Sequence, residues 1–105
     1  MHALPLIQLD GHLFVTLVGQ DWLLDTGAPT SFGTAAAVTI GDRSFSVPSS
    51  YMGLTVSQLR EFVGHPALGT IGADLINEFD LLLDVSSEEA FFWRLSIFRG
   101  NRFIG

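Results

Sequence analysis

Residues 23–28 read Leu-Leu-Asp-Thr-Gly-Ala, and they hold the side chains best placed to do chemistry. Leu23 and Leu24 suit a buried strand. Asp25 is then expected at the strand's end, where a charge normally avoids an apolar wall. A carboxylate held in such a place can give or take a proton. Thr26 adds a hydroxyl, and Gly27 leaves the backbone bare. Read alone, Asp-Thr-Gly also fits an ordinary turn in which the carboxylate caps neighbouring N–H groups.

Other chemistries fall away. The chain has no cysteine, which excludes disulfides and thiolate nucleophiles. His2, His12 and His65 are scattered without ligand spacing, so no metal is expected. Eleven acidic residues face five arginines and no lysine, a net charge of −6. Three of those arginines, Arg94, Arg99 and Arg102, sit in the C-terminal tail, and the clustered basic surface that tracks phosphates is missing. Nucleic acid is not an expected partner.

The 105 residues suffice for one small domain. At 48% hydrophobic, 15% charged and a mean hydropathy of +0.41, the chain carries more apolar side chain than a core of this size can hide. A subunit with an apolar interface accounts for that excess, as does a piece of a longer protein. No apolar run approaches a membrane span. The N-terminus lacks the basic-then-apolar order of a signal peptide, so a cytoplasmic location is the default expectation.

The elements that must position Asp25 are short. Leu4–Leu9 and His12–Val18 read as strands around an Asp10-Gly11 hairpin turn. A Gly19-Gln20 turn leads to Asp21–Leu24, so a β-meander delivers Asp25 from a central strand. Residues 28–31 form a turn. Ala35–Ile40 and Ser44–Val47 flank Gly41-Asp42-Arg43 as a hairpin that Pro48 ends. Thr55–Val63 is the clearest helix. Thr55 and Gln58 fit a capping box, Val56, Leu59, Phe62 and Val63 share a face, and Gly64 closes it. Leu68–Ile71 is a strand and Ala73–Glu78 one or two helical turns. Phe79–Val85 and Ala90–Leu95 flank a last turn. The domain is expected over residues 1–95, followed by a basic tail, residues 96–105.

A second block, Ile71-Gly72-Ala73-Asp74-Leu75-Ile76, lies 46 residues beyond Asp25 and runs into Phe79–Val85. Together the two blocks resemble the retropepsin-like aspartic proteases. There an apolar pair leads into Asp-Thr-Gly, and an apolar-Gly segment crosses behind the catalytic loop. A short helix and a closing hairpin follow. The resemblance implies a mainly β fold, a closed β-barrel or sandwich with one or two short helices and one domain per subunit. Because the motif occurs once, it also implies a homodimer in which each chain supplies one Asp25. The two carboxylates would share a proton and activate water against a peptide bond, with no cofactor. Thr26 would brace the two catalytic loops across the two-fold axis. Gly27 would admit substrate, and Ala28 would wall the site. Ile71 and Gly72 would pack against the catalytic loop, Gly72 where a side chain would collide.

The chain departs from the viral members at Pro29 and Ala73, the positions of an Asp–Arg ion pair in those enzymes. Both partners are absent together, so no buried charge is stranded. Pro29 also removes an N–H that would bond a peptide substrate. The candidate flap is the Val38–Val47 hairpin with Gly41 and Asp42 at its tip, short beside the viral one, so slow or narrowly specific proteolysis is expected. The competing expectation is a retropepsin-fold module that binds peptides or dimerises with little or no catalysis.

Overall fold

A computed structural model describes residues 1–94. The expected tail, residues 96–105, and the last residue of the expected domain lie outside the described residues.

β1 (His2–Leu9) and β2 (His12–Leu17) form a hairpin across Asp10-Gly11, both in the left-handed region at φ 50° and 80°. That is the two-residue turn whose twist matches the flanking strands. The next turn sits one residue earlier than expected, at Val18-Gly19, so β3 (Gln20–Leu24) begins at Gln20. β4 (Phe32–Gly33) is brief. β5 (Ala37–Ile40) and β6 (Arg43–Ser46) make a separate two-stranded hairpin, and β7 (Ser50–Tyr51) and β8 (Leu54–Thr55) a second one that the sequence reading missed. Then come α1 (Val56–Val63), β9 (Gly69–Ile71), α2 (Ala73–Ile76), β10 (Phe79–Asp84) and β11 (Glu89–Arg94).

The main sheet has seven strands in the order β10-β11-β1-β2-β3-β9-β4. β1 joins its halves, pairing through His2–Pro5 with β11 and through Leu6–Leu9 with β2. The protein is mainly β, as expected, but the sheet is open. Its edges β10 and β4 do not pair with each other, so the described residues form no closed barrel. All the ladders are antiparallel except β3–β9. A parallel pair requires a long crossover, and here residues 25–68 supply it.

Two apolar clusters hold the sheet. One gathers Leu6, Val15, Trp22, Leu24, Ile71, Phe79 and Phe92 with Val38 and Ile40 of the β5–β6 hairpin. The other places Phe14, Leu23 and Phe32 against Val56, Leu59, Val63 and Ala67. β2 is buried on both faces: Phe14 and Val15 are both fully buried, because α1 covers the second face. The Thr55–Gln58 capping box and the left-handed Gly64 cap are both present. Burying Val56, Leu59 and Val63 contributes about 2 kcal/mol each. Phe62 does not share that face. It stands one residue, about 100°, from Val63 around the helix, and is 80% exposed.

Candidate active site

β3 lies between β2, its antiparallel neighbour, and β9, its parallel one. Leu23 and Leu24 are buried on opposite faces, and the chain emerges at Asp25, which is exposed. The Asp25 N–H donates to the Ile71 carbonyl at 3.0 Å, extending the parallel ladder by one bond. Its Oδ1 accepts from the Gly27 N–H at 3.0 Å, and its carbonyl accepts from the Ala28 N–H at 3.2 Å. These bonds fold residues 25–28 into a tight loop with one carboxylate oxygen engaged by its own backbone.

The loop is laced to the segment after β9. The Ala73 N–H donates to the Ala28 carbonyl at 2.7 Å. A Cβ on Gly72 would stand 2.7 Å from the Ala28 oxygen, closer than any side chain tolerates. Ser31, fully buried, ties the remaining ends. Its hydroxyl and N–H donate to Asp74 Oδ1 at 2.6 and 2.9 Å, while its Oγ accepts from the Gly72 N–H at 2.8 Å. Such bonds to a carboxylate are the stronger kind. By sequence Ser31 falls in the 28–31 turn and Asp74 in the second block, neither with an assigned role. Both are cross-braces between loops more than 40 residues apart. The missed signal was positional: Ser31 lies just beyond the first motif block, and Asp74 lies within the second, directly after Ile71-Gly72-Ala73.

The structure thus brings Asp25, Thr26, Gly27, Ala28, Ile71 and Gly72 together. Thr26 and Gly27 are exposed beside Asp25, Ala28 is half-buried, and Pro29 is exposed. A cleft of about 220 Å³ opens here between Gly11, His12, Leu13, Leu23, Leu24, Asp25 and Thr26. Gly41 and Asp42 do not belong to it. A Cβ on Gly41 would fall onto the His2 ring, at the start of β1, whereas the cleft adjoins Gly11, beyond its end. The hairpin is held down by Val38 and Ile40 in the core and by an Arg43–Glu78 ion pair at 2.9 Å, with the Arg43 guanidinium over the Phe45 and Phe79 rings. As an overhanging flap it is corrected: apolar burial fixes it to the sheet.

His65 sits in a loop yet is pinned: its Nε2 meets Asp21 Oδ2 at 2.7 Å, and its ring packs on Phe14. Among the described residues, no three His, Asp or Glu side chains converge as a metal site, and no helix is long and apolar enough to cross a membrane. No family model, no curated protein and no solved structure matches this chain.

Proposed function

We propose that the chain is a homodimeric aspartic endopeptidase with a retropepsin-like domain in each subunit. One observation carries this reading. An exposed Asp25 stands at the end of a buried central strand, in a loop locked by hydrogen bonds to Ile71 and Ala73, so its carboxylate is held at a fixed place facing solvent. A lone turn carboxylate needs no such lacing from a segment 46 residues away.

In the proposed dimer two Asp25 carboxylates meet about 3 Å apart and share one proton. The ionised member takes a proton from water. The protonated member donates to the scissile carbonyl oxygen. Water adds to the carbonyl carbon, and the resulting diol collapses as the amine leaves with a proton. The bond from Gly27 N–H to Oδ1 orients the carboxylate. Where viral relatives of the proposed family carry an ion pair at positions 29 and 73, the backbone bond from Ala73 to Ala28 and the Ser31–Asp74 brace supply the stiffness here.

The test is sedimentation velocity paired with inhibition by a statine-type diol mimic. A dimer that a stoichiometric diol mimic stabilises and inhibits supports the proposal; a strict monomer at high concentration removes it. The packed β5–β6 hairpin favours a second reading, a binding or dimerisation module without turnover, because it offers no cover over Asp25. Dimerisation with no cleavage across a broad peptide library would select that reading.

A further inference from the structure

A groove larger than the cleft at Asp25 lies beside α1. It measures about 610 Å³ and is lined by Met52, Gly53, Leu54, Gln58, Leu59 and Phe62, from the β7–β8 hairpin and α1. Its apolar walls stand in water: Met52 is 88% exposed, Phe62 80% and Leu54 39%. Met52 is also strained. Its φ is 49°, in the left-handed region, where the β1–β2 turn uses Asp10 instead. Asn and Asp tolerate that conformation and like water; methionine does neither. Val18 at the β2–β3 tip shares that conformation, at φ 50°, and is likewise exposed; at Met52 the two features coincide with a groove in which Leu54 and Phe62 extend the exposed apolar surface, which marks a contact site.

The groove adjoins the Asp25 cleft through one ring contact. The Phe62 ring meets the His12 ring edge-on with centroids 6.0 Å apart, and His12 lines the Asp25 cleft. That bridge spans about two residues of extended chain. Acidic residues flank the groove and the cleft. Asp10 lies in the turn whose Gly11 lines the cleft, Asp25 lies within it, and Glu61 is exposed beside Phe62. Arg60, the cation of α1, donates through Nε to the Ala67 carbonyl at 2.7 Å.

We infer that this groove is an exosite for the substrate. It takes one aromatic or branched aliphatic residue at least two positions from the scissile bond, on a segment where lysine or arginine flanks that residue. The inference rests on the endopeptidase reading, and the experiment keeps the two apart. Fluorescein-labelled peptides carrying Lys-Phe-Lys, Lys-Ser-Lys or Glu-Phe-Glu at that distal position, otherwise identical, are titrated against the full chain by fluorescence polarisation, and cleavage of each is followed separately. The Lys-Phe-Lys peptide is expected to bind about tenfold more tightly than either of the others, with a preference over Glu-Phe-Glu that shrinks as salt is raised. Met52→Asn and Phe62→Ser should each erase the preference for Phe over Ser. Met52→Asn should do so with an unchanged or higher melting temperature, which separates recognition from folding.

Equal binding of the Phe and Ser peptides by the wild type overturns the exosite, as does an unchanged preference in Met52→Asn. Dissociation of the dimer by Phe62→Ser also overturns it, because the groove is then a subunit contact. If the Phe peptide binds and nothing is cleaved, the endopeptidase reading fails while the groove stands as a peptide site. If all three peptides bind and are cleaved alike, the exosite fails and the endopeptidase reading stands.

Discussion

Removing the Asp74 carboxylate should unlace the candidate catalytic loop, and the size of the effect follows from its bonds. Asp74 Oδ1 accepts two hydrogen bonds from Ser31, at 2.6 and 2.9 Å, and Ser31 is fully buried. Asp74→Ala leaves a buried N–H and a buried hydroxyl hydrogen without an acceptor. Each bond to a charged group contributes about 1.5–3 kcal/mol, and the hydroxyl can turn to recover a fraction. The expected loss is about 3 kcal/mol, on the order of 12–24 °C in melting temperature for a domain this size. Asp74→Asn keeps an acceptor oxygen and should lose only about 1 kcal/mol. Ser31→Ala strands the Gly72 N–H, bonded at 2.8 Å, and should cost about 2 kcal/mol. The double variant Ser31→Ala/Asp74→Ala should fall short of additivity by about 1 kcal/mol or more, because both substitutions delete the same bond. Urea denaturation of the wild type and the four variants measures this. A loss under about 1 kcal/mol in Asp74→Ala, or strict additivity in the cycle, would refute the brace.

Three further outcomes follow from single contacts. Gly72→Ala must push a Cβ against the Ala28 carbonyl, so it should destabilise by about 2 kcal/mol or more and abolish turnover, read by melting and by peptide cleavage. Thr55→Ala deletes the acceptor for the Gln58 N–H in the capping box and should cost about 1 kcal/mol in thermal unfolding. Hydrogen bonds from Ser87, then Ser86, hold the Asp84 carboxyl below its ordinary value of 3.8. A carboxyl depressed in the folded state stabilises above its unfolded value and ceases to do so as pH falls through the folded one. Asp84→Asn should therefore melt below the wild type at pH near 6. The gap should start to close below about pH 4 and be gone under the folded value; a pH-independent gap would refute the assignment.

Where local chemistry alone decided an element, the sequence was enough. Asp10-Gly11, the Thr55–Gln58 box and Gly64 each dictate one backbone geometry, and each appears. The mainly β character was legible for the same reason: apolar runs end at residues that cannot continue them. The approach of Ile71-Gly72 to Asp25 was implied only by the resemblance of the two blocks to the retropepsin-like pattern, and hydrogen bonds from Asp25 to Ile71 and from Ala73 to Ala28 realise it. Three things depended on tertiary placement instead. Phe14 is buried only because α1 returns over β2, which no alternation along β2 can announce. Phe62 sits at the margin of an apolar stripe, and how wide a stripe the sheet covers is set by docking, not by spacing. The β5–β6 hairpin reads as a flap from its turn residues, but Val38 and Ile40 alternate inward and bind it to the core. At the site, Ser31 and Asp74 are ordinary polar residues until the two blocks are adjacent. Then they are the only side chains among the described residues that join Gly72 to the loop after Asp25.

The central claim is that Asp25 does the chemistry, and one measurement meets it directly. Wild type and Asp25→Asn are incubated at equal concentration with the same peptide library between pH 4 and 7, and new amino termini are counted by mass spectrometry. The substitution keeps the shape of the side chain and its acceptor oxygen for the Gly27 N–H, so the fold should hold. Wild type is predicted to cleave and Asp25→Asn to be inactive, by at least about 10³-fold. Equal cleavage by the two proteins would contradict the account.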